Sequence, residues 1–154
     1  MTTPFNAAPG TRVSPTPVPW RVFLRCLANQ IDAQCGPEAR IPILRDAGRQ
    51  MAVLLALPPV GSLEALEIEM NGVLTEIDWG SVRLSLNEAE RCVLLTHQRL
   101  PRIGSAGEPC GTWLAPVLEG FYEGWMAQQP GAESSFLVRI KLHEADSIIM
   151  RYGR

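Results

Sequence analysis

The sequence predicts an α+β domain in which several amphipathic helices pack with an antiparallel sheet of about four strands. Its 154 residues correspond to a single domain. Apolar residues first recur every three or four positions, which is the helical period. After Trp79 and Gly80 they alternate with polar residues, which is the period of a half-buried strand. The order helices, hairpin, helix, hairpin is typical of an α+β protein with an antiparallel sheet.

The chain is predicted to begin with a flexible arm, residues 1–19, followed by the folded domain, residues 20–154. The arm contains five prolines and many small residues, which cannot build a core. The first helix of the domain begins at Trp20 and stops before Gly36 and Pro37. Its predicted apolar face comprises Trp20, Phe23, Leu24, Leu27 and Ile31.

Two further helices are predicted before the sheet. One spans residues 41–56 and tolerates Pro42 only because that residue falls in the first turn. The other follows Ser62, whose side-chain oxygen is suited to cap a free backbone N–H. For the helix of residues 41–56, the predicted apolar face is Ile41, Leu44, Ala47, Met51, Leu54 and Leu55, and the polar face is Arg45, Asp46, Arg49 and Gln50. The stripe of the next helix is Leu63, Leu66, Met70, Val73, Leu74 and Ile77.

Two hairpins are predicted to supply the sheet. In the first, the alternating residues 82–86 pair with residues 90–97 across the short sequence NEA. In the second, residues 135–142 are followed after HEAD by residues 147–153. Between the hairpins lies a loop rich in glycine and proline and then a fourth helix.

The glycine-rich stretch before the fourth helix does not match a nucleotide-binding loop. Gly104, Gly107 and Gly111 give the pattern G-x-x-G-x-x-x-G, whereas a dinucleotide fingerprint requires G-x-G-x-x-G after a strand. A phosphate loop would end in Gly-Lys-Ser or Gly-Lys-Thr, but here Gly-Thr-Trp follows Glu108, whose charge would repel phosphate. We therefore predict no nucleotide and no other cofactor.

The fourth helix, capped by Thr112 and reaching about Gln128, is predicted to be buried on two sides. Gly120 and Gly124 lie one turn apart and allow another backbone to come close, each at a cost of about 1 kcal/mol of helix propensity. The predicted packing and assembly motif comprises Gly104, Gly107, Gly111, Trp113, Gly120 and Gly124. The side predicted to face away comprises Thr112, Ala115, Pro116, Glu119, Glu123 and Met126.

No catalytic site is predicted. Glycoside hydrolysis requires two carboxyl groups about 5–10 Å apart across a cleft, whereas Glu119 and Glu123 lie on what reads as a solvated or interface face of a helix. Cys110 precedes a helix start, which can make a thiol reactive, but a small buried residue is the favoured interpretation. A Ser-His-Asp arrangement could draw on the candidates His97, His143 and Asp146, but the G-x-S-x-G turn is missing.

Neither metal binding, nucleic acid binding nor membrane insertion is predicted. The four cysteines include no C-x-x-C pair and are expected to be reduced and mostly buried, and the two histidines have no ligand spacing. A net charge of -2 provides no basic field for nucleic acid. No apolar run approaches the roughly 18 residues of a membrane span, and no secretory signal is visible. The cytoplasm is therefore the expected compartment, with the periplasm as the alternative.

Several segments of the chain resemble the D subunit of bacterial cellulose synthase. They are GSAGEPCGTWLAPVLEG (104–120), LEIEMNGVLTEIDWGSVRL (66–84), RDAGRQMA (45–52) and the start MTT followed by FNA. The resemblance implies a non-catalytic accessory subunit that forms a homo-octamer, a tetramer of dimers. The implied partners are the other synthase subunits, a proline-rich protein of the same operon and nascent β-1,4-glucan chains, whose passage promotes crystalline cellulose output.

The same resemblance implies that N-terminal arms line the glucan passages. The residues expected to make weak contacts there are Thr2, Thr3, Phe5 and Asn6. Two departures concern the arm, which is longer and richer in proline at residues 9–19, and Pro42, which stands where the family pattern predicts an uninterrupted helix.

Aromatic rings and an apolar pocket lead to two further hypotheses. Proteins that bind sugar polymers stack aromatic side chains on the sugar rings and hydrogen-bond the sugar edges with hydroxyl or amide groups. The four tryptophans of the chain are nevertheless more typical of a core. These candidates are Trp20, Trp79, Trp113 and Trp125. The alternative function is a small-ligand-binding regulatory domain in which the helix of residues 112–128 closes an apolar pocket.

Overall fold

The predicted α+β class is confirmed by a computed structural model that describes residues 18–100, 113–144 and 146–154, with the backbone alone for residues 18–21. Within this part of the chain, three helices and four strands follow one another. They are α1 (Val18–Leu54), α2 (Leu63–Glu76), β1 (Ser81–Asn87), β2 (Cys92–Gln98), α3 (Ala115–Ala127), β3 (Leu137–His143) and β4 (Ser147–Gly153). A helix therefore already begins at Val18, and the predicted arm lies mostly outside the described residues.

The four strands form one antiparallel sheet in the order β1-β2-β4-β3. Both predicted hairpins are present, and β2 and β4 join them in the centre of the sheet. Because side chains alternate along a strand, one face collects the buried residues, against which α2 and α3 pack. This buried face includes Val82, Leu84, Leu95, Val138 and Met150.

Helix α1 joins the first two predicted helices across a kink at Gly36. This residue has φ 76° and ψ 164°, a conformation that glycine adopts without the steric cost a side chain would bring. The predicted break is therefore in the right place, but the helix resumes at Pro37 rather than at Ile41, so Pro42 lies inside α1 and not in a first turn. Proline suits the first position after a break because its φ is already helical.

The apolar faces predicted for α1 are only partly buried. In the first segment, residues 22–35, the described chain buries Ala28 completely, whereas Phe23 and Leu27 are 54% and 42% exposed. The predicted apolar face of this segment is therefore largely exposed within the described residues.

In the second segment of α1, the buried line is rotated from the predicted one. Leu44, Gly48 and Ala52 are buried, whereas Ile41 and Leu54 are exposed. The two small residues allow α3 to approach closely, which outweighs the larger apolar area of the predicted face.

Helix α2 matches its prediction. The Ser62 side-chain oxygen accepts a hydrogen bond from the Ala65 N–H at 3.1 Å, and Leu66, Met70 and Leu74 are buried. These residues cover the β1 end of the sheet.

Helix α3 differs from its prediction in its start and in its exposed side. It begins at Ala115 with Leu114 at the N-cap position and no capping side chain, and Thr112, the predicted cap, lies outside the described residues. Three residues predicted to face away are buried: Ala115, Glu119 and Met126. The reason is that α3 lies between α1 and the sheet and is therefore in contact on opposite sides.

Side chains of α2 close the open edge of β1. Asn71 accepts from the Val82 N–H and donates to the Val82 carbonyl, both at 2.8 Å, and Glu67 accepts from the Leu84 N–H at 2.7 Å. Four helical residues advance about 6 Å along the helix, and two strand residues advance about 6.7 Å along the strand. Side chains four apart on a helix therefore match N–H groups two apart on an adjacent strand.

Helix α3 repeats this arrangement at the opposite edge of the sheet. Glu123 accepts from the Val138 N–H at 2.9 Å, and Glu119 accepts from the Ile140 N–H at 3.2 Å. At each edge of the sheet, two outward N–H groups of the edge strand thus donate to side chains of a helix of the same chain. Edge strands treated in this way do not template pairing with another strand.

A polar pair lies in the core between α3 and β2. The Nδ1 atom of His97 is 2.5 Å from the Tyr122 hydroxyl, and both residues are fully buried. Burial lowers the pKa of His97 to about 4, although the backbone of Trp79 opposes this effect, and burial raises the pKa of Tyr122 well above its ordinary value. His97 is therefore neutral in the fold at neutral pH.

Acidification is expected to destabilise the fold through His97. Its pKa is about 4 in the folded chain and 6.5 in the unfolded chain, so the unfolded state binds the proton first. Stability is complete above pH 6.5 and falls toward pH 4, by about 3 kcal/mol at most. Urea denaturation across this range should show a steeper loss for the natural chain than for His97→Gln. Equal slopes would contradict the burial of a neutral histidine.

Glycines at the α1–α3 contact are expected to differ sharply from an exposed helical glycine. A Cβ at Gly120 would lie 1.8 Å from the Arg45 carbonyl oxygen, whereas a Cβ at Gly72 would meet no atom within 4 Å. Gly120→Ala should lower the free energy of unfolding by about 3 kcal/mol. The matched control Gly72→Ala should leave it unchanged or raise it by up to about 1 kcal/mol. Similar effects of both changes in urea denaturation would refute the close contact.

Candidate functional site

The segment that stood out in the sequence, α3 with its glycines, lies against the second segment of α1. An added Cβ at Gly124 would lie 2.5 Å from the Cβ of Ala52, and one at Gly48 would lie 2.0 Å from the Val117 carbonyl oxygen. With Gly120, these residues bring the two helix backbones into direct contact. Sequence reasoning identified Gly120 and Gly124 but missed Gly48, although Gly48 and Ala52 form the same small pair one turn apart.

This contact lies within one chain. A role of the glycine motif in assembly between copies stays a prediction. Three glycines of the motif, Gly104, Gly107 and Gly111, lie outside the described residues. So do Cys110 and the arm residues Thr2, Thr3, Phe5 and Asn6.

The tryptophans described in the structure pack inside the fold. Trp125 is fully buried and its Nε1 donates to the Leu55 carbonyl at 2.8 Å. Trp113 is buried, with the Arg40 guanidinium 6.0 Å from its ring centroid. Trp79 is partly buried and meets Phe121 edge to face. These three indoles are therefore core residues, while the side chain of Trp20 is outside the described part of the chain.

An ion-pair network joins α1 to α3 alongside the glycine contact. Both Nε and Nη2 of Arg45 donate to the same Glu119 oxygen, at 2.9 and 2.5 Å. One turn further along, Arg49 donates to Glu123 at 3.1 and 2.8 Å. Of the two alternatives predicted for Glu119 and Glu123, a solvated face or an interface face, the solvated one is wrong for Glu119, whose side chain is only 7% exposed. Charged hydrogen bonds of this kind are stronger than neutral ones.

A third arginine, Arg139 of β3, completes the network and fixes the charge of Glu123. Its Nη1 atom donates to Glu123 at 3.2 Å. Burial alone would raise the pKa of Glu123, but the Val138 N–H, Arg49 and Arg139 outweigh burial and hold that pKa below its ordinary value. A general acid for glycoside hydrolysis requires a raised pKa, so this carboxylate is suited to structure rather than to proton transfer.

The other candidate residues do not come together as a site. His97 is committed to Tyr122 in the core, and His143 lies at the end of β3. Cys92 is buried, but Cys26 and Cys35 are exposed, contrary to prediction, because the first segment of α1 is largely uncovered. Among the described residues, no three His, Cys, Asp or Glu side chains are grouped so that they could hold a metal ion.

No helix within the described ranges is long and apolar enough to cross a membrane.

Comparison with known proteins gives a consistent result over nearly the whole chain. A protein of Komagataeibacter xylinus named cellulose synthase operon protein D is 45% identical over 138 residues, which cover 90% of this chain and 82% of that protein. The protein of the same name from Komagataeibacter sucrofermentans is 46% identical over 117 residues, covering 76% of this chain and 75% of its own.

The match to a defined protein family covers both the helical contact and the sheet. Residues 10–153 match the family described as the D subunit of cellulose synthase. This range includes all of the elements from α1 to β4, together with the glycine-rich segment before α3. The chain therefore belongs to the family of cellulose synthase D subunits and has a role in bacterial cellulose synthesis.

Proposed function

We propose that this chain is a non-catalytic accessory subunit of the bacterial cellulose synthase and secretion complex. In this proposal it assembles as a homo-octamer, a tetramer of dimers, that organises or guides nascent β-1,4-glucan chains and promotes crystalline cellulose. Family membership supports the pathway. The single observation that supports assembly is the exposed apolar surface of α1 around and before its kink.

That surface is large for a helix of a monomeric domain. Val22 is 57% exposed, Leu27 42%, Ile41 38% and Ile43 49%. Exposed large apolar side chains in this number along one helix of a soluble protein indicate a site of protein–protein contact. No described element covers these side chains, so a second copy that buried them would stabilise this segment of α1.

The arm would extend from this same segment, because it immediately precedes Val18. We propose that Thr2, Thr3, Phe5 and Asn6 line a passage in the assembled ring. Short hydroxyl and amide groups with one aromatic ring suit weak contacts, and a conduit must release the chain it guides. The proposed partners outside the ring are the other synthase subunits and a proline-rich protein of the same operon, in the cytoplasm next to the inner membrane, with the periplasm as the alternative.

The contacts of α3 favour this function over a small-ligand-binding domain. The alternative required the helix to close an apolar pocket. Its apolar side chains instead meet α1 on one side and the sheet on the other, with Phe121, Tyr122 and Trp125 fully buried between them. The two carboxylates on this helix are held by arginine, which supports a structural role rather than a catalytic one.

The assembly is testable by mass. Light scattering at micromolar concentration should give about 135 kDa for eight copies of the 16.9 kDa chain. Val22→Asp with Leu27→Asp should reduce that mass at least twofold, because a charge on a covered apolar surface costs several kcal/mol unless it is paired. The matched control Val53→Asp, which changes a 73% exposed residue at the far end of α1, should keep the full mass. A natural chain that stays monomeric would refute the assembly.

Removal of the arm tests its role separately. Deletion of residues 1–17 should leave the melting temperature within a few degrees, because α1 begins at Val18. In cells whose own copy of the protein is deleted, the shortened chain should restore less cellulose, with lower crystallinity, than the full chain. Full restoration would exclude a function of the arm in guiding glucan, and loss of folding would contradict its prediction as a separate arm.

A further inference from the structure

The second face of the sheet is open in the described structure. Both α2 and α3 pack on the face that carries Val82 and Leu84, and no described helix packs on the opposite face. Strand register assigns two rows of side chains to this opposite face. The rows are Arg83, Thr96, Ile149 and Leu142, and Ser85, Leu94, Arg151 and Arg139. We call this surface the open sheet face.

The open sheet face combines apolar side chains with positive charge. Leu142 is 46% exposed, and Ile149 next to it is partly exposed. Arg83 is exposed at one edge, and Lys141 bulges from β3 at the other. Arg139 of this face pairs with Glu123 of α3, and Glu90 pairs with Lys141 at 3.0 Å and approaches Arg151 at 3.7 Å. The face keeps a net positive charge from Arg83 and from one of the two cations beside Glu90. Such a surface suits a partner that is both apolar and acidic.

The outward side of α2 has the complementary composition. The sequence of this helix, LEALEIEMNGVLTE, contains four glutamates and neither lysine nor arginine. Glu64 and Glu76 are exposed near its two ends, and Ile68 between them is 70% exposed. The outward side of α2 is therefore acidic, with an exposed apolar residue at its centre.

Other pairings of these surfaces between copies are disfavoured. The open edges of β1 and β3 are capped by α2 and α3, which opposes extension of the sheet from copy to copy. Two α2 helices facing each other would place glutamates together, and two open sheet faces would place arginines together. Like charges brought together at an interface cost several kcal/mol.

We propose that the outward side of α2 in one copy docks on the open sheet face of the next copy, head to tail. This inference rests on the proposed assembly and names one of its contacts. Glu64 and Glu76 are about 18 Å apart along the helix, and the distance across the sheet from β1 to β3 is about 14 Å. Acidic groups at both ends of α2 can therefore reach Arg83 and Lys141 at opposite edges, with Ile68 over the apolar centre. A contact between unlike surfaces forms a ring when its rotation closes.

A charge exchange between two variants tests this contact. Glu64→Lys with Glu76→Lys reverses α2, and Arg83→Glu with Lys141→Glu reverses the open sheet face. By light scattering at micromolar concentration, each variant alone should lose at least half of the natural mass. An equimolar mixture should regain it, because both kinds of contact are then complementary. The control Glu133→Lys, an exposed residue of the loop before β3 that lies outside α1 and outside both surfaces, should keep the natural mass.

Three further measurements support the interpretation of that result. Far-UV circular dichroism should show the natural helix and strand content for all variants, since the altered side chains are exposed. Ile68→Asp should reduce the mass of the assembly at least twofold without reversing any charge. Raising NaCl from about 0.05 to 0.5 M should weaken the natural assembly. Natural oligomers with unchanged variant masses, or variants that do not recover on mixing, would overturn the head-to-tail contact alone. A monomeric natural chain would overturn the proposed assembly together with this contact.

Discussion

The direct backbone contact between α1 and α3 is the constraint on which the rest of the structure depends. It exists because Gly48 on one helix and Gly120 on the other have no side chains, so that a single methyl group at either position would overlap a backbone oxygen of the partner helix. The contact fixes both the separation and the rotation of the two helices. Each glycine reduces helix propensity, and the close packing with its dispersion contacts offsets that cost.

The position of α3 that results from this contact determines how its charges are used. With α1 so close, Glu119 and Glu123 face Arg45 and Arg49 across the interface while still reaching the open edge of β3. Each carboxylate thus satisfies an arginine and a strand N–H at once. Burying such a group is tolerable only when its hydrogen bonds are complete. The same two residues therefore link three elements that are far apart in the sequence.

The comparison of sequence with structure separates local signals from distant ones. Ser62, the stripe of α2 and the alternation in all four strands are encoded within a few residues, and sequence reasoning found them. The pairing of Arg45 with Glu119 spans 74 positions, so the helical period suggested a solvated face where the structure has a buried ion pair. The burial of Glu119 depends on α3 having neighbours on two sides, which no single-helix pattern contains. The exposure of Phe23 and Leu27 was missed for the same reason: a period identifies an apolar face but not what covers it.

The edges that the fold covers and the surfaces that it leaves exposed connect the fold with the proposed function. A domain that caps both edges of its sheet, Val82 and Leu84 at one and Val138 and Ile140 at the other, has closed the route by which strands join indiscriminately. The same domain leaves apolar helix surface and a basic sheet face exposed among its described residues, and in the proposed assembly these surfaces select partners by shape and charge. Edge capping blocks open-ended growth, whereas specific face-to-face contacts can close into a ring of defined size. A protein built in this way suits a particle of fixed geometry around a polymer made elsewhere.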